Sequence, residues 1–573
     1  MLIKNQLAAL VKDAIIAAQN SGALPAFAIP DVYIERPQRK ELGDYSCSLP
    51  LKLARAAKRA PLEIAQAIAA HFPRAEAIAQ VEGAPPGFVN ITLNDAWIAR
   101  QVETILAQGA RYGDVEPARR DALRIQVEYV SANPTGPLHI GGGRNGALGD
   151  TLANVLNAAG HNVQREFYIN DNGTQVRLFG ESIFARYAQA LGRDESFPEK
   201  GYQGAYVIEM GKQIAREHNE KFLRIPRAQA VRELGRLGIA IVLDNYAKTL
   251  ARMGVRFDNW FSERSLHESG LFAQVFQILQ DKGLTAEKDG ATWFAAQELG
   301  EDKDAVLIRS PQVIAEPDER PTYLASDVAY VWNKLVVRNF DRAIYIWGAD
   351  HHGDVPRVLA ATRALGLDPA RAIIILHQFV NLKRGGELIK MSKRAGEFVT
   401  MDELLDEVGA DAVRFMLIAQ HANTTMDFDL ELAKKQSDEN PVFYVQYAHA
   451  RISSILKKAI ESGALSDPST LLRASGGDVA LLTHPAELDL IREILRLPEI
   501  VELVAAKLEP HHLPHYAISL AGIFHAFYKQ CRVVSSDPAD AAITRARLKL
   551  VAAAQNALAR TLNLIGVRAP ETM

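Results

Sequence analysis

A glycine-rich loop between a predicted strand and a predicted helix holds the first residues that could do chemistry. It runs Ser131-Ala132-Asn133-Pro134-Thr135-Gly136-Pro137-Leu138-His139-Ile140-Gly141-Gly142-Gly143-Arg144. Glycine lets a ligand approach the backbone closely, and a helix N-terminus offers free N–H groups and partial positive charge to a phosphate. His139 can donate a hydrogen bond to a phosphoryl oxygen. Such a loop can also be a simple turn, but the strand before it and the helix after it favour phosphate binding.

A pair of lysines further along the chain could meet the same phosphates. The segment Lys390-Met391-Ser392-Lys393 follows the turn-like Lys383-Arg384-Gly385-Gly386 and precedes Gly396. Lysines three apart are also typical of a solvated helix face, whereas the flanking glycines favour a loop. The two segments together could hold a triphosphate from both sides, and the lysines would stabilise the charge that develops as pyrophosphate leaves.

The elements around the glycine-rich loop predict where a ligand would lie. Residues 123–130 alternate apolar and polar side chains, as in a strand, and Val163 to Ile169 is predicted to be a second strand. Between them the apolar residues Leu148, Leu152 and Val155 have helical spacing. This strand–loop–helix–strand order predicts a βαβ unit with its ligand site at the carboxyl end of the first strand.

The rest of the chain divides into three predicted domains. Residues 1–115 form a small α/β module with an alanine-rich helix near 50–72, and residues 436–573 are almost entirely helical. In the middle domain, 116–435, apolar runs at 343–347 and 372–376 predict further strands of a parallel sheet. A mostly helical insertion is predicted near 180–300. A chain of 573 residues is long enough for several hydrophobic cores, which agrees with this division.

Composition excludes some classes of protein. The only two cysteines, Cys47 and Cys531, cannot build a disulfide framework or a zinc–cysteine cluster, which suits a reducing cytoplasm. No uncharged apolar run reaches about 18 residues, so no membrane span is predicted, and the N-terminus lacks the apolar core of a signal peptide. The formal net charge is −3, which by itself favours no nucleic-acid partner. Such a partner would have to be met by local basic patches.

The two motifs resemble the HIGH and KMSK motifs of class I aminoacyl-tRNA synthetases, in their usual order and roughly 250 residues apart. Short sequence segments around them resemble the arginyl-tRNA synthetases in particular, and these segments are distributed over the whole chain. They are Gly43-Asp44-Tyr45-Ser46, Ser131 to Gly141, Tyr168-Ile169-Asn170-Asp171, Tyr323-Leu324-Ala325-Ser326-Asp327, Trp347-Gly348-Ala349-Asp350-His351-His352-Gly353, Gly409 to Arg414, Asn440 to Arg451 and Phe524-His525-Ala526-Phe527-Tyr528.

The resemblance implies an α/β fold with a Rossmann-type catalytic core, a small α/β N-terminal domain that contacts the tRNA elbow, and an all-α anticodon-binding bundle at the C-terminus. It implies three substrates, namely ATP with Mg²⁺, L-arginine and tRNA(Arg). It also implies a monomer that needs no tightly bound metal or organic cofactor. His139, Lys390 and Lys393 would be catalytic, and residues 132–142 with 390–393 would bind ATP.

The resemblance further implies that Asn133, Gln175, Tyr323 and Asp327 bind arginine. A guanidinium is well recognised by a carboxylate beside an aromatic ring, and Tyr323 and Asp327 would share one face of a helix. The alternative is a helix N-cap beside a core tyrosine. Gln446, Tyr447, His449 and Arg451 would bind tRNA, with Lys457 and Lys458 nearby, since rings stack on unpaired bases and cations meet phosphates. A solvated helix face with a core tyrosine explains the same residues.

Two features depart from the family pattern. Gly142 stands where the family usually has the second histidine of the HIGH motif. We expect this position to face a solvent-filled cleft, so that Gly142→His would fit and add a hydrogen bond to substrate. The segment from Pro311 to Arg320 is also longer than the family usually carries.

Three alternatives remain at this stage. Asp350-His351-His352 also marks a family of manganese phosphoesterases, which need several further Asp and His ligands. A tRNA-independent ligase would share the ATP motifs but would not need the helical C-terminal domain. A catalytically inactive paralogue that binds RNA would be consistent with Gly142, although His139 and both motif lysines are present.

Overall fold

The computed structural model describes residues 2–115, 122–299, 303–311, 322–389, 399–465 and 478–573. At the N-terminus, β1, β3 and β2 form an antiparallel sheet in that order, with the helices packed against it. The elements are α1 (Ile3–Asn20), β1 (Tyr45–Cys47), α2 (Leu49–Ala57), α3 (Pro61–Ala70), β2 (Ile78–Ala84), β3 (Phe88–Leu93) and α4 (Asp95–Gln108).

The alanine-rich helix predicted near 50–72 is two helices. Helix α2 ends because Lys58 adopts a left-handed conformation, with φ of 50°, and α3 begins at Pro61. Proline is favoured in the first turn of a helix and excluded from its interior, so the break falls between the two.

The middle of the chain forms a five-stranded parallel sheet in the order β11-β10-β4-β5-β6. Because the chain adds strands first on one side of β4 and later on the other, the switch point lies between β4 and β10. Ligands of open parallel sheets bind outside the strand ends at such a point. The elements are β4 (Arg124–Glu128), α5 (Ile140–Ala158), β5 (Asn162–Ile169), β6 (Asn259–Ser262), α11 (Tyr323–Trp332), β10 (Arg342–Gly348), α12 (Val355–Ala364) and β11 (Ala372–His377).

The segment predicted as a helical insertion near 180–300 is helical in its first part only. Three helices pack together there, but the chain then returns to the main sheet as β6 and forms an antiparallel sheet of β7, β8 and β9. These strands are short and partly exposed, which weakens their periodic signal. The elements are α6 (Thr174–Ala190), α7 (Ala205–His218), α8 (Arg227–Arg252), α9 (Arg264–Glu268), α10 (Leu271–Asp281), β7 (Thr285–Lys288), β8 (Ala291–Phe294) and β9 (Ala305–Ile308).

A small three-stranded sheet and three helices connect the core to the C-terminal bundle. Strand β12 lies between β13 and β14. Helix α13 begins with a capping box, in which the Thr400 hydroxyl and the Glu403 carboxylate bind each other's backbone N–H groups. The elements are β12 (Val380–Arg384), β13 (Glu387–Leu388), α13 (Met401–Val408), α14 (Ala410–Ile418), β14 (Met426–Asp429) and α15 (Leu430–Lys434).

The C-terminal region is a helical bundle, as predicted. Its core is apolar, and helix α4 of the N-terminal region packs against it. Ion pairs join the N-terminal module to the bundle, with Arg36 Nε 2.7 Å from Glu499 Oε2 and Arg492 Nε 2.7 Å from Asp44 Oδ1. The elements are α16 (Pro441–Glu461), α17 (Pro485–Ile494), α18 (Leu497–Lys507), α19 (His512–Gln530) and α20 (Ala541–Ile565). Among the described residues, no helix has the length and apolar character needed to cross a membrane.

Candidate active site

The glycine-rich loop leaves the end of β4 through a strained turn. Val130 and Ser131 have φ of 66° and 38°, a conformation that is costly for residues other than glycine. The Asn145 side chain holds this turn, because its carbonyl oxygen accepts the Val130 N–H at 2.7 Å while its amide donates to the Ile346 carbonyl at 2.8 Å. One side chain of α5 therefore links β4 and β10 where the switch point lies.

Two tyrosines from the insertion fix the middle of the loop. The Tyr246 hydroxyl lies 3.1 Å from the Asn133 carbonyl oxygen and 2.7 Å from that of Gly136, and the Tyr206 hydroxyl donates to the Thr135 carbonyl at 2.6 Å. Burial raises the pKa of both hydroxyls, so they remain protonated donors. No local sequence pattern indicated that these tyrosines position the loop, because they lie more than 70 positions away on α7 and α8.

His139 is the N-cap of α5. Its Nδ1 accepts the Gly141 N–H at 3.1 Å, which places the proton of the neutral ring on Nε2. The loop also contacts the chain that follows the lysine motif, because the Met401 N–H donates to the Leu138 carbonyl at 2.8 Å and His139 pairs with Thr400. Lys390, Met391, Ser392 and Lys393 themselves lie outside the described residues. The fold thus places the C-terminal flank of the lysine motif against His139.

The predicted ATP-binding residues divide into an accessible set and a buried set. Ala132, Asn133, Gly136, Pro137, His139 and Gly141 are at least partly exposed, whereas Pro134, Thr135, Leu138, Ile140 and Gly142 are buried. The buried set can offer a ligand only its backbone. The expectation that Gly142 faces a solvent-filled cleft is therefore wrong. A Cβ at this position would lie 2.5 Å from Leu138 Cδ1, because the Leu138 side chain folds back over the first turn of α5.

Asp327 lies on α11 in a group of carboxylates. Burial and the neighbouring Glu263, Glu128 and Asp354 hold its pKa well above the usual range, while Lys334 acts in the opposite direction. Lys334 is already ion-paired with Glu128 in the protein interior. The carboxyl of Asp327 therefore tends to keep its proton while no cation is bound, and a guanidinium beside it would favour the ionised form.

Glu263 is a second pocket carboxylate that the sequence analysis missed. It is buried, one of its oxygens has no hydrogen-bond partner among the described residues, and burial raises its pKa to about 7. Ser326 and Tyr168 lie beside it. Glu263 directly follows β6, so it stands at a strand's carboxyl end, where ligand-binding residues gather. That signal was hidden because β6 fell inside the predicted helical insertion.

The other predicted arginine-binding residues lie on three separate elements. Asn133 is exposed on the loop, and Gln175 is partly exposed in the first turn of α6. Tyr323 begins α11, and its side chain lies outside the described residues. The N-cap of α11 is Thr322, so the alternative that Asp327 caps this helix is wrong.

The Asp350-His351-His352 triplet lies on an exposed turn after β10. His351 Nδ1 is 3.2 Å from Asp354 Oδ2, and among the described residues no further histidine or carboxylate completes a metal-binding group there. The segment 311–320 cannot be placed, because residues 312–321 lie outside the described ranges.

The residues predicted to bind tRNA point in two directions from α16. Gln446 is buried, and its amide donates to Asp411 Oδ2 at 3.0 Å and to the Arg568 carbonyl at 2.9 Å. His449 is buried, with Nδ1 2.7 Å from the Pro570 carbonyl oxygen. The prediction that these two side chains are presented to tRNA is wrong, because they attach α16 to the C-terminal segment.

Tyr447 and Arg451 do lie on the surface. The Arg451 guanidinium carbon is 4.6 Å from the centre of the Tyr447 ring and 5.5 Å from that of Tyr528, and Arg451 Nη2 donates to the Tyr447 hydroxyl at 2.6 Å. Lys457 and Lys458 are exposed two turns further along α16. This combination of exposed rings and cations suits unpaired bases and phosphates.

Comparisons with known proteins agree with this geometry. Residues 5–93 match the family described as arginyl tRNA synthetase N terminal domain, 101–452 match tRNA synthetases class I (R), catalytic domain, and 445–573 match DALR anticodon binding domain. The chain is 48% identical over 573 residues to an arginine–tRNA ligase of Dehalococcoides mccartyi, covering 100% of this chain and 99% of the relative.

A second relative and one solved structure extend the likeness. The arginine–tRNA ligase of Heliobacterium modesticaldum is 44% identical over 571 residues, with coverage of 100% of this chain and 99% of the relative. The fold is similar to that of the Thermus thermophilus arginyl-tRNA synthetase, with a TM-score of 0.76, 22% identity and complete coverage of both chains. The parallel core, the loop at its switch point and these full-length likenesses together show that the chain belongs to the arginyl-tRNA synthetase family.

Proposed function

We propose that the pocket around Asp327 and Glu263 binds the guanidinium of L-arginine while the 131–144 loop binds ATP. The chain is an arginine–tRNA ligase, which activates L-arginine with ATP and transfers it to tRNA. The observation that carries the site assignment is the buried Glu263 carboxyl beside Asp327, because one Glu263 oxygen has no partner among the described residues and the pKa values of both groups are raised. Asp327 accepts two N–H groups of the guanidinium, and Glu263 supplies the second negative charge.

The loop and the lysine motif then act on the phosphates. The arginine carboxylate attacks the α-phosphorus of ATP, and pyrophosphate leaves with the Mg²⁺ that accompanies ATP as substrate. His139 donates from Nε2 to a phosphoryl oxygen, while Lys390 and Lys393 stabilise the charge on the departing pyrophosphate. A terminal hydroxyl at the 3′ end of tRNA(Arg) next attacks the adenylate carbonyl, and AMP leaves.

The proposed tRNA contacts follow the surface of the bundle. Tyr447, Tyr528 and Arg451 stack against anticodon bases, and Lys457 and Lys458 meet phosphates. In the proposed division, residues 1–115 contact the tRNA elbow, residues 116–435 carry out catalysis and residues 436–573 bind the anticodon. We further propose a cytoplasmic monomer, in keeping with two buried, unpaired cysteines.

Aminoacylation with radiolabelled arginine tests the activity, and Lys393→Ala tests the mechanism. We expect the wild type to charge tRNA(Arg) and to form adenylate. Lys393→Ala should lower kcat by about 100-fold or more, with little change in arginine or tRNA affinity, because the lysine acts mainly in the transition state.

Lys457→Ala is the matched control, since it removes a lysine from the proposed tRNA surface. It should weaken tRNA binding and leave adenylate formation intact. A Lys393 variant that lost tRNA affinity but kept normal adenylate formation would contradict the role assigned to Lys393. Transfer of activated arginine by the wild type to an acceptor other than RNA would favour the tRNA-independent ligase. No activation at all would favour the inactive paralogue.

A further inference from the structure

Four histidines and one glutamate gather where the bundle meets the catalytic core. Glu509 and His511 lie in the joint between α18 and α19, and His512 and His515 lie in the first turn of α19. His421 comes from the opposite side, in the loop that follows α14. The proposed catalytic mechanism uses none of these side chains.

The ligand atoms of this cluster are close together. Those of Glu509, His511 and His512 all lie within 4.8 Å of one another. Glu509 faces a histidine with each oxygen, since Oε2 is 3.0 Å from His512 Nε2 and Oε1 is 3.6 Å from His421 Nε2. The His511 ring centre lies 4.2 Å from that of His512 and 5.2 Å from that of His421.

These separations fit a tetrahedral metal. With bonds of about 2.0–2.2 Å to nitrogen and oxygen, neighbouring ligand atoms around Zn²⁺ lie about 3.3 Å apart. Both distances to Glu509 are within a few tenths of an ångström of that value. His421 lies outside the group of three whose ligand atoms are within 4.8 Å of one another, and rotation of its exposed side chain would bring its ring into the set.

One donor atom of the cluster has no partner within the protein. His511 Nδ1 is buried and has no hydrogen-bond partner among the described residues. Imidazole nitrogens of this kind are common ligands of Zn²⁺.

A metal bound by this cluster would connect the C-terminal bundle to the loop that carries His421. Arg144, which is the last residue of the 131–144 segment and is buried on α5, donates to the His421 carbonyl at 3.1 Å and to the Thr424 carbonyl at 3.0 Å. His515 Nε2 lies 2.9 Å from the Ala419 carbonyl oxygen of the same loop. The loop that carries His421 is thus held by the phosphate-loop helix on one side and by the bundle on the other.

We propose that Glu509, His511, His512 and His421 form a Zn²⁺ site that joins the C-terminal bundle to the catalytic core. Zn²⁺ is the ion favoured by several imidazoles and one carboxylate in tetrahedral array. The ion stabilises the joint between α18 and α19 against the loop that carries His421. The site is distinct from the Mg²⁺ that accompanies ATP, and it differs from the sequence-based expectation that no tightly bound metal is needed.

Metal titration of the full-length chain tests this proposal. Protein treated with a chelator and dialysed is titrated with Co²⁺, which reports tetrahedral coordination by its visible absorption, and then with Zn²⁺. We expect one saturable Co²⁺ per chain, displacement by one Zn²⁺, and a rise in melting temperature on zinc loading. His511→Ala and His512→Ala should each weaken binding by at least about 100-fold.

Three further variants separate the site from its alternatives. Glu509→Gln keeps the side-chain shape and should weaken zinc binding even if a histidine variant folds poorly. His218→Ala, on α7 far from the cluster, should bind zinc like the wild type. His421→Ala tests the bridge, and it should reduce both zinc affinity and the zinc-dependent rise in melting temperature. Absence of saturable Co²⁺ binding by the wild type, or equal binding by the His511 variant, would overturn the site. Unchanged behaviour of His421→Ala would overturn the bridge.

Discussion

The core–bundle junction and the proposed arginine pocket both hold buried ionisable groups, but the two sites differ in the partners that these groups have. At the junction, the Arg414 guanidinium donates to Asp150 Oδ2 at 2.6 Å, to the Ile565 carbonyl at 2.8 Å and to the Met253 carbonyl at 2.9 Å. In the pocket, Asp327 and Glu263 lie near each other, and Lys334, the cation that acts on Asp327, is already paired with Glu128.

The charged groups at the junction stabilise the fold, whereas the carboxyls of the proposed pocket are available to bind a cationic substrate. A buried ion with all its partners in the chain fixes the packing of the elements that supply them, here α5, α8, α14 and α20. A buried carboxylate without a cation destabilises the free protein, and binding of a cation relieves that cost. Four predictions test this distinction.

Arg414→Met should destabilise the protein by about 3–5 kcal/mol, because it removes donors from two carbonyls and leaves the buried Asp150 with only the longer ion pair to Arg165, at 3.5 Å. The urea midpoint of unfolding should fall, while kcat/KM for arginine per folded molecule stays close to that of the wild type.

The double variant Arg414→Met with Asp150→Asn is the control. Removing the orphaned charge should restore part of the stability, so that the two substitutions are less costly together than their sum. A fully additive double variant would show that the ion pair is not what holds the junction.

Asp327→Asn should lower kcat/KM for arginine by about 30- to 1000-fold, or about 2–4 kcal/mol, because the guanidinium loses a charge-assisted partner. Thermal stability should be unchanged or higher, which is the opposite of the junction variant. Pyrophosphate exchange measured over a range of arginine concentrations gives the kinetic constants.

Citrulline provides a sharper version of the same test, because its urea group has the shape of a guanidinium without the charge. The wild type should discriminate strongly against citrulline, and Asp327→Asn should lose most of that discrimination. If the variant kept the wild-type ratio of arginine to citrulline activity, Asp327 would not be the guanidinium ligand.

Gly142→His should destabilise the protein by about 1–3 kcal/mol through overpacking, since a Cβ at this buried position lies 2.5 Å from Leu138 Cδ1. This replaces the sequence-based expectation of a gain in activity. The double variant Gly142→His with Leu138→Ala removes the clashing side chain and should recover stability. Arginine activation measured on both proteins checks the result, and an increase in rate for the single variant would contradict it.

The KM for arginine should fall by up to about tenfold as the pH rises from about 6 to 8. The pKa of Glu263 is about 7 in the free pocket, and a bound guanidinium favours the ionised carboxylate, so affinity increases as the proton is lost. Glu263→Gln should flatten this dependence. Calorimetric titration in two buffers with different ionisation enthalpies should detect proton release by the wild type below pH 7, and no release would exclude Glu263 from the pocket.

The sequence predicted the loop between β4 and α5 well because every signal there is local. The strand before Ser131, the helix that begins beside His139 and the glycines between them are neighbours in the chain. Glu263 shows the opposite case. Its position at the carboxyl end of a strand becomes apparent only when the four-residue strand β6 pairs in a sheet whose other strands lie up to about 140 positions away. Periodicity cannot detect so short a strand.

Sequence alone determined the βαβ unit, the helical C-terminal region and the motifs, because helix and strand periodicities and turn residues act within a few positions. Which polar residues are buried in packing and which remain exposed depends on tertiary contacts. Gln446 and Tyr447 are adjacent on α16, yet one is buried against Asp411 and the other is exposed. The difference depends on where the C-terminal segment crosses the helix, and that is set by long-range packing that no local pattern encodes.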